Sequence, residues 1–434
     1  MAGPVISDVE LPSYADKHFL GRSIDRPAVS QSAGADLLEI AGWAIAREGE
    51  PVSIDVFDRE YRLRTAPIAR ERKDVADLFS DQASALTSGF RTTVGTVGLP
   101  HDFELLVRVN FADGRKLPLA LIRGSREPMT TTYDPQLPPI MVTALGRSGT
   151  TLLMHALAAC PDIVVGGAYP YELRFARYWL HAAKVLSDPA DPNHGPSVDA
   201  FQLDLTTVPN NPFFSASAEP AAVAWFAESQ PLLVGELAQR SLDGVYGKLA
   251  AERGGARYFA EKFSPSYSQS IAWELYGERA RELFLVRDFR DVLSSIVAFN
   301  RKRGFEGFGR SESADDLDFV RRLGGSARML LQEWEERHDR AHFVRYEDLV
   351  TDPEAALGAI GGYLGLDPAA IEAMVAATTE SSTKLDRHKT SADPAASMGR
   401  WREDLAPEIA AACEESIAAP LKAFGYLEQA PEPS

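Results

Sequence analysis

Six consecutive residues, Gly146-Arg147-Ser148-Gly149-Thr150-Thr151, hold the densest chemistry in this 434-residue chain. They follow Ile140-Met141-Val142-Thr143, a short, largely apolar and β-branched run suited to a strand buried on both faces of a parallel sheet. The apolar residues after Thr151 start a helix. A strand, a glycine-rich turn and a helix N-terminus make an anion cradle, because the first helical N–H groups lack partners and the helix dipole is positive there. Thr150 and Thr151 add hydroxyl donors. Arg147 adds a fixed charge that can fork onto phosphate or sulfate oxygens. The stretch reads as a phosphate-binding loop, with an ordinary strand-to-helix turn as the plain alternative. It is not a nucleotide-hydrolase loop: that pattern needs Gly where Ala144 stands and Lys where Thr150 stands.

A second stretch, Leu283-Phe284-Leu285-Val286-Arg287-Asp288-Phe289-Arg290-Asp291, reads as an apolar strand that delivers Arg287 to the carboxyl edge of the sheet. A helix beginning near Asp291 then brings Ser295 back toward that edge about one turn in. Arginine plus hydroxyl is a clamp for an isolated phosphate. The alternating Arg-Asp pairs also fit a surface salt-bridge cluster.

Gly146–Thr151, then Val286-Arg287-Asp288-Phe289-Arg290-Asp291, then Val344-Arg345-Tyr346-Glu347-Asp348-Leu349 occur in the order and spacing of the sulfotransferases that use 3′-phosphoadenosine 5′-phosphosulfate, PAPS. The resemblance covers roughly residues 138 to 427. It implies that Gly146, Arg147, Ser148, Gly149, Thr150 and Thr151 cradle the 5′-phosphosulfate, with Arg147 standing where many relatives have Lys and protein-tyrosine sulfotransferases have Arg. Arg287 and Ser295 match the pair that holds the 3′-phosphate, and Tyr346 a residue near the adenine. Phe289 departs from the small residue or Pro usual there. Lys262, in Glu261-Lys262-Phe263-Ser264-Pro265, matches a Lys facing the reaction centre. His388-Lys389-Thr390-Ser391 and Ser397-Met398-Gly399-Arg400-Trp401-Arg402 resemble a flap over the nucleotide in bacterial members, which makes Arg400 a further donor ligand.

The acceptor hydroxyl must lose a proton as it attacks sulfur, so a positioned base is expected. Glu172, in Tyr171-Glu172-Leu173-Arg174, resembles the family's catalytic Glu-X-Arg segment; His155 and His388 are the other candidates, and a helix-start charge is the plain reading of Glu172. The resemblance implies no metal: a migrating sulfuryl group carries less charge than a phosphoryl group. The expected activity is therefore PAPS-dependent sulfuryl transfer to a hydroxyl acceptor, a glycan being favoured. A P-loop kinase or nucleotide hydrolase, or a catalytically silent glycan-binding protein, are the alternatives.

These side chains need a scaffold. From residue 138 to 428 candidate strands at 140–143, 257–260, 283–286 and 342–345 alternate with helical segments, which implies an α/β domain with a parallel sheet covered on both faces and the loop at its carboxyl edge. Residues 187–220, rich in Pro, Asp and Asn, read as an irregular insertion bordering the acceptor. Residues 25–126 read as a β-sandwich module, with an Asp113-Gly114 hairpin and Trp43 as a core residue more readily than a glycan-stacking one. Residues 1–24 read as a loose polar arm, 127–137 as a linker and 429–434 as a frayed tail.

Composition sets outer limits. Hydrophobic content of 45% and charged content of 25% are ordinary for a globular protein. A net charge of −17 argues against nucleic acid or an anionic membrane as main partner. Two cysteines, Cys160 and Cys413, make neither a disulfide framework nor a metal site. The first residues lack a basic segment followed by an apolar one, and no apolar run has membrane-spanning length, so the expectation is a cytoplasmic protein.

Overall fold

The computed structural model describes residues 3–30, 37–189, 193, 219–379 and 395–427. Most of the 187–220 insertion, and all of residues 388–391 and 429–434, lie outside the described residues. The chain forms two compact units: Met1–Tyr133 with Leu180–Ala238, and Asp134–Trp179 with Gln239–Ser434. This differs from the linear division expected from the sequence, since residues 180–238 group with the N-terminal unit.

The first unit holds strands β1 (Val5–Glu10), β2 (Phe19–Arg26), β3 (Leu37–Ala46), β4 (Pro51–Asp58), β5 (Tyr61–Pro67), β6 (Gly89–Gly95), β7 (Asp102–Phe111) and β8 (Lys116–Ser125), with a short helix α1 (Lys73–Leu78). They make two antiparallel sheets, β1-β8-β7-β4-β5 and β2-β3-β6. Period-two burial is clear in β7, where Phe103, Leu105, Val107, Val109 and Phe111 are buried and the residues between them are not. Arg22 of β2 donates to the Leu119 carbonyl of β8 at 3.0 Å and so ties the two sheets together. Trp43 is partly buried against Phe79, at 5.7 Å between ring centroids, as a core residue would be.

The arm expected at 1–24 instead carries strand β1 and the start of β2. Val5–Glu10 pair along β8 and Ile6 is buried. Six residues with polar positions interspersed look solvated when read alone; their partner lies more than a hundred residues on. Within the expected linker, Met129 is buried in the first unit, and in the second the N–H groups of Gln136 and Leu137 donate to Asp243 at 2.8 and 3.2 Å.

The second unit is built on β9 (Pro139–Thr143), β10 (Ile163–Val165), β11 (Tyr258–Phe263), β12 (Arg281–Val286) and β13 (His342–Arg345). They form one parallel sheet in the order β10-β11-β9-β12-β13. The helices in chain order are α2 (Thr150–Ala159), α3 (Phe175–Ser187), α4 (Pro220–Glu252), α5 (Tyr267–Tyr276), α6 (Phe289–Arg303), α7 (Asp316–Arg337), α8 (Tyr346–Thr351), α9 (Pro353–Leu364) and α10 (Pro368–Thr379). Past residue 394 follow α11 (Trp401–Asp404), α12 (Pro407–Ser416) and α13 (Ala418–Ala423). The unit boundaries at 179/180 and 238/239 fall inside α3 and α4.

Both faces of the sheet are covered, as an all-parallel sheet requires. Leu283 and Leu285 of β12 join one core with Leu153 and Leu157 of α2, while Phe284 and Val286 join another with Phe289 and Val292 of α6. Central β9 is buried at all five positions. Beside it a buried polar cluster closes on Glu282, which accepts from Thr143 Oγ1 at 2.5 Å, Trp273 Nε1 at 2.9 Å and Arg337 Nε at 2.8 Å. Glu333 and Glu336 also pair with Arg337, so that buried guanidinium is held among three carboxylates. The chain leaves β9, runs out to the edge and returns on the other side through β12. That places a switch point at the carboxyl end of β9, where such sheets bind ligands. No described helix is long and apolar enough to cross a membrane.

Candidate active site

The loop after β9 closes sharply because two of its residues are left-handed: Arg147 has φ 71° and Gly149 φ 94°. Gly149 is required twice over. Its φ disfavours any side chain, and a Cβ there would sit 2.3 Å from Cδ2 of Tyr346. The Tyr346 ring therefore packs directly on the loop backbone. α2 starts at Thr150 with no side-chain cap from Gly149, which leaves first-turn N–H groups available to an anion. Ser148 is fully buried, and its Oγ has no hydrogen-bond partner among the described residues. A buried hydroxyl of this kind can donate to an anion held by the loop.

Arg147 and Arg287 converge on this loop. Arg147 Nε donates to Ser295 Oγ at 3.2 Å, and its guanidinium lies 4.5 Å from the centroid of the Phe299 ring. Burial, with the charge of Arg287 next, pulls the Arg147 proton affinity down to a pKa of about 10. Arg287, at the end of β12, donates to the carbonyls of Arg147 (3.3 Å) and Ser397 (2.6 Å) and covers the Tyr346 ring at 4.5 Å. Its Nε is buried with no partner among the described residues. The hydrogen bond described for the Ser295 hydroxyl is thus to Arg147, whose carbonyl in turn accepts from Arg287. Helix α6 begins at Phe289, capped by Asp288, two residues earlier than expected, so Ser295 lies six residues in.

Sequence reasoning missed what holds Ser397 in place. The hydroxyls of Ser397 and Tyr346 are hydrogen-bonded at 3.0 Å. Asp291, read from sequence only as a helix start, is buried and accepts the N–H groups of Gly399 (2.6 Å) and Trp401 (3.0 Å). Burial pushes its carboxyl upward, against those two bonds and the charge of Arg287. Arg400 pairs with Asp404 one turn on. Trp401 is flanked by Arg290, at 4.1 Å from its ring centroid, and by Arg402, at 4.6 Å. Phe299 was legible in principle: it follows Ser295 by four residues and shares its helix face.

The third group is Lys262, Glu172 and Thr151. Lys262 Nζ, near the end of β11, donates to Glu172 Oε1 at 2.7 Å, to the Pro170 carbonyl at 2.7 Å and to Thr151 Oγ1 at 3.0 Å. Arg174 binds the other oxygen of Glu172 at 3.1 Å. Burial raises the Glu172 carboxyl, but Lys262 and Arg174 outweigh it and hold the group below the usual carboxylate range. Burial likewise lowers Lys262, its bond to Glu172 offsetting part of that. Glu261 next door points to the other face of the strand. It accepts from Tyr246 and from the Ala176 N–H at the start of α3, and burial lifts it to about 7. His155 Nδ1 is 2.9 Å from the Tyr171 hydroxyl. His388 lies outside the described residues.

The structure thus brings Gly146–Thr151, Lys262 and Glu172 into one hydrogen-bonded set, and Arg147, Arg287, Ser295 and Tyr346 into an adjoining one. Comparison with known proteins gives the same family that the motifs pointed to. The model of the sulfotransferase family matches residues 138–370. Among solved structures, the chain is similar to the sulfotransferase domain from the curacin biosynthetic pathway, with 19% identity, a TM-score of 0.39, and 68% of this chain and 100% of that one covered. It is similar to sulfotransferase STF9 from Mycobacterium avium, with 14% identity, a TM-score of 0.33, and 67% and 78% covered. Mouse sulfotransferase SULT7A1 complexed with PAP gives 12% identity, a TM-score of 0.37, and 68% and 90% covered. The search of curated proteins found no match. With more than half of its length matched by the family model, this chain belongs to the sulfotransferase family.

Proposed function

We propose that this protein transfers a sulfuryl group from PAPS to a hydroxyl acceptor by direct in-line attack. The observation that carries the reading is the convergence of two guanidiniums, half-buried Arg147 and buried Arg287, on a loop whose Ser148 hydroxyl and helix N-terminus are unsatisfied. The 5′-phosphosulfate takes the loop 146–151, the 3′-phosphate takes Arg287 and Ser295, and the adenine lies toward Tyr346. The acceptor oxygen forms its bond to sulfur as the bond from sulfur to the bridging oxygen breaks. The electron pair leaves with adenosine 3′,5′-bisphosphate, and Arg147 and Lys262 offset the charge that develops there. The acceptor proton passes to the Glu172 carboxylate. Drawing Lys262 toward the donor frees that carboxylate and makes it more basic when it is needed.

Titration calorimetry against adenosine 3′,5′-bisphosphate, AMP and ATP, each with and without Mg²⁺, tests the reading. The bisphosphate is expected to bind tightest and without dependence on Mg²⁺; tighter binding of Mg-ATP would support a kinase or hydrolase instead. The pH profile of kcat/KM, which reports the free enzyme with Lys262 on Glu172, is a second check. A base with a depressed pKa stays ionised until pH falls below the ordinary glutamate value of about 4.3, so the acid limb lies below that value. Lys262 has a lowered pKa, so the alkaline limb begins below the ordinary lysine value of about 10.4. Glu172→Gln should remove the acid limb and the chemical step together while bisphosphate still binds; full activity in that variant would clear Glu172 of the role.

A further inference from the structure

A cleft of ≈ 200 Å³ adjoins the loop at Gly146. Its walls are Leu145, Pro265, Ile296, Phe308, Leu323 and Met329. The polar side chains lining it among the described residues are two hydroxyls, Ser264 and Ser326, and no charged side chain lines it. We propose that this cleft is the acceptor subsite and that its occupant is a small alcohol with a compact apolar body; the inference rests on the sulfuryl-transfer reading above.

Position supports the assignment. Gly146 is shared between cleft and loop, and Ser264 and Pro265 follow Lys262 at the end of β11 by two and three residues. Ile296 lies one residue past Ser295, about 100° around α6, so the cleft flanks the face that carries Ser295 and Phe299. Arg287, Ser295 and Tyr346 do not line it, which separates it from the proposed nucleotide clamp. Lys262 and Glu172 do not line it either, so the cleft takes the body of the acceptor and its hydroxyl must extend past Gly146 and Ser264 to reach them. One wall is shared with the charged side through rings: Phe308 meets Phe299 edge-on at 5.7 Å between centroids, and Phe299 carries the Arg147 guanidinium. Phe308 also presses on Gly146, where an added Cβ would come within 2.7 Å of its ring. It is held at φ 57° and is 46% exposed, as a lip that touches both loop and solvent would be.

Chemistry fixes the class of occupant. Each sugar hydroxyl taken out of water needs a partner, and a sugar ring carries more hydroxyls than two serines can satisfy. An alkyl or aryl body asks only for apolar contact, which six of the walls supply. The volume lies below the roughly 300–1,000 Å³ of pockets for drug-sized ligands, so the body is small. The glycan acceptor expected from the sequence does not suit this lining.

The test is the rate of sulfate-ester formation from PAPS with ethanol, 1-butanol and 1-hexanol beside methyl β-D-glucopyranoside. The expected result is a kcat/KM that rises roughly fourfold or more per added methylene until the cleft is full, with the glucoside below 1-butanol. Two variants report on the cleft itself. Ser326→Met fills it and should lower kcat/KM for 1-hexanol by about tenfold or more while ethanol changes little. Met329→Ala enlarges it and should shift the preferred chain toward greater length. In both, affinity for adenosine 3′,5′-bisphosphate should match the parent, which shows that the loop is intact. A flat response to chain length, a preference for the glucoside, or no change of preference in either variant overturns the acceptor assignment and leaves the donor reading standing if the bisphosphate binds. No bisphosphate binding and no ester from any acceptor overturns both.

Discussion

Arg147→Ala is expected to lower kcat by about 10²–10³-fold at saturating donor. Its guanidinium is half-buried beside the loop, fixed by Ser295 and the Phe299 face, and pulled to a pKa of about 10 by desolvation and by Arg287. It remains protonated at neutral pH, and two cations gathered without an anion between them repel each other. An anion arriving between them relieves that repulsion, and charge growing on the leaving oxygen relieves it further, so the benefit is larger in the transition state than in the ground state. The substitution is clean because alanine keeps the Cβ. The left-handed backbone at φ 71° is equally strained in both proteins, and the loop has no reason to change shape. Arg147→Lys should recover part of the rate, since a point charge replaces a fork. The check is steady-state transfer alongside bisphosphate affinity. A kcat within about threefold of the parent would remove Arg147 from the charge-bearing role.

How much of this was legible depended on how local the information was. The loop announces itself because strand, turn and helix start are contiguous, and Gly149 is required by a backbone angle that its own segment sets. Arg287 follows from the strand before it. Lys262 and Glu172 come from segments ninety residues apart, and the resemblance to a family named them where periodicity could not. Their mutual ion pair, and its bond onward to Thr151, needed the sheet to be assembled. Asp291 shows the opposite failure. In sequence it is one more acid in an Arg-Asp run, and a solvated helix start is the ordinary reading; in the fold it is buried and holds the backbone of Gly399 and Trp401, more than a hundred residues on. The strand at Val5–Glu10 was lost for the same reason, because its hydrogen bonds are made by β8. That residues 180–238 group with the N-terminal unit could not be read locally, because helical periodicity says that a helix is amphipathic, not which core it serves.

Arg287→Ala should separate the two ends of the donor. Arg287 donates to two backbone carbonyls, Arg147 and Ser397, and its Nε is buried without a partner among the described residues. Such a group has one strong bond still to make. A phosphate can take that Nε directly, and can displace the Ser397 carbonyl, exchanging a neutral acceptor for a charged one. A hydrogen bond to a charged group contributes about 1.5–3 kcal/mol, so loss of Arg287 should weaken adenosine 3′,5′-bisphosphate by roughly 10–100-fold. AMP, which has no 3′-phosphate, should change by less than about threefold if the guanidinium serves that phosphate alone. Equal weakening of the two nucleotides would mean that Arg287 acts by bracing the Arg147 carbonyl and the loop. Arg287→Lys discriminates further. A lysine keeps the charge but cannot span both carbonyls and cover Tyr346 at once, so a clamp role predicts partial recovery for the bisphosphate and a bracing role predicts none. Calorimetry of the two nucleotides against the parent and both variants reads all of these outcomes in one series.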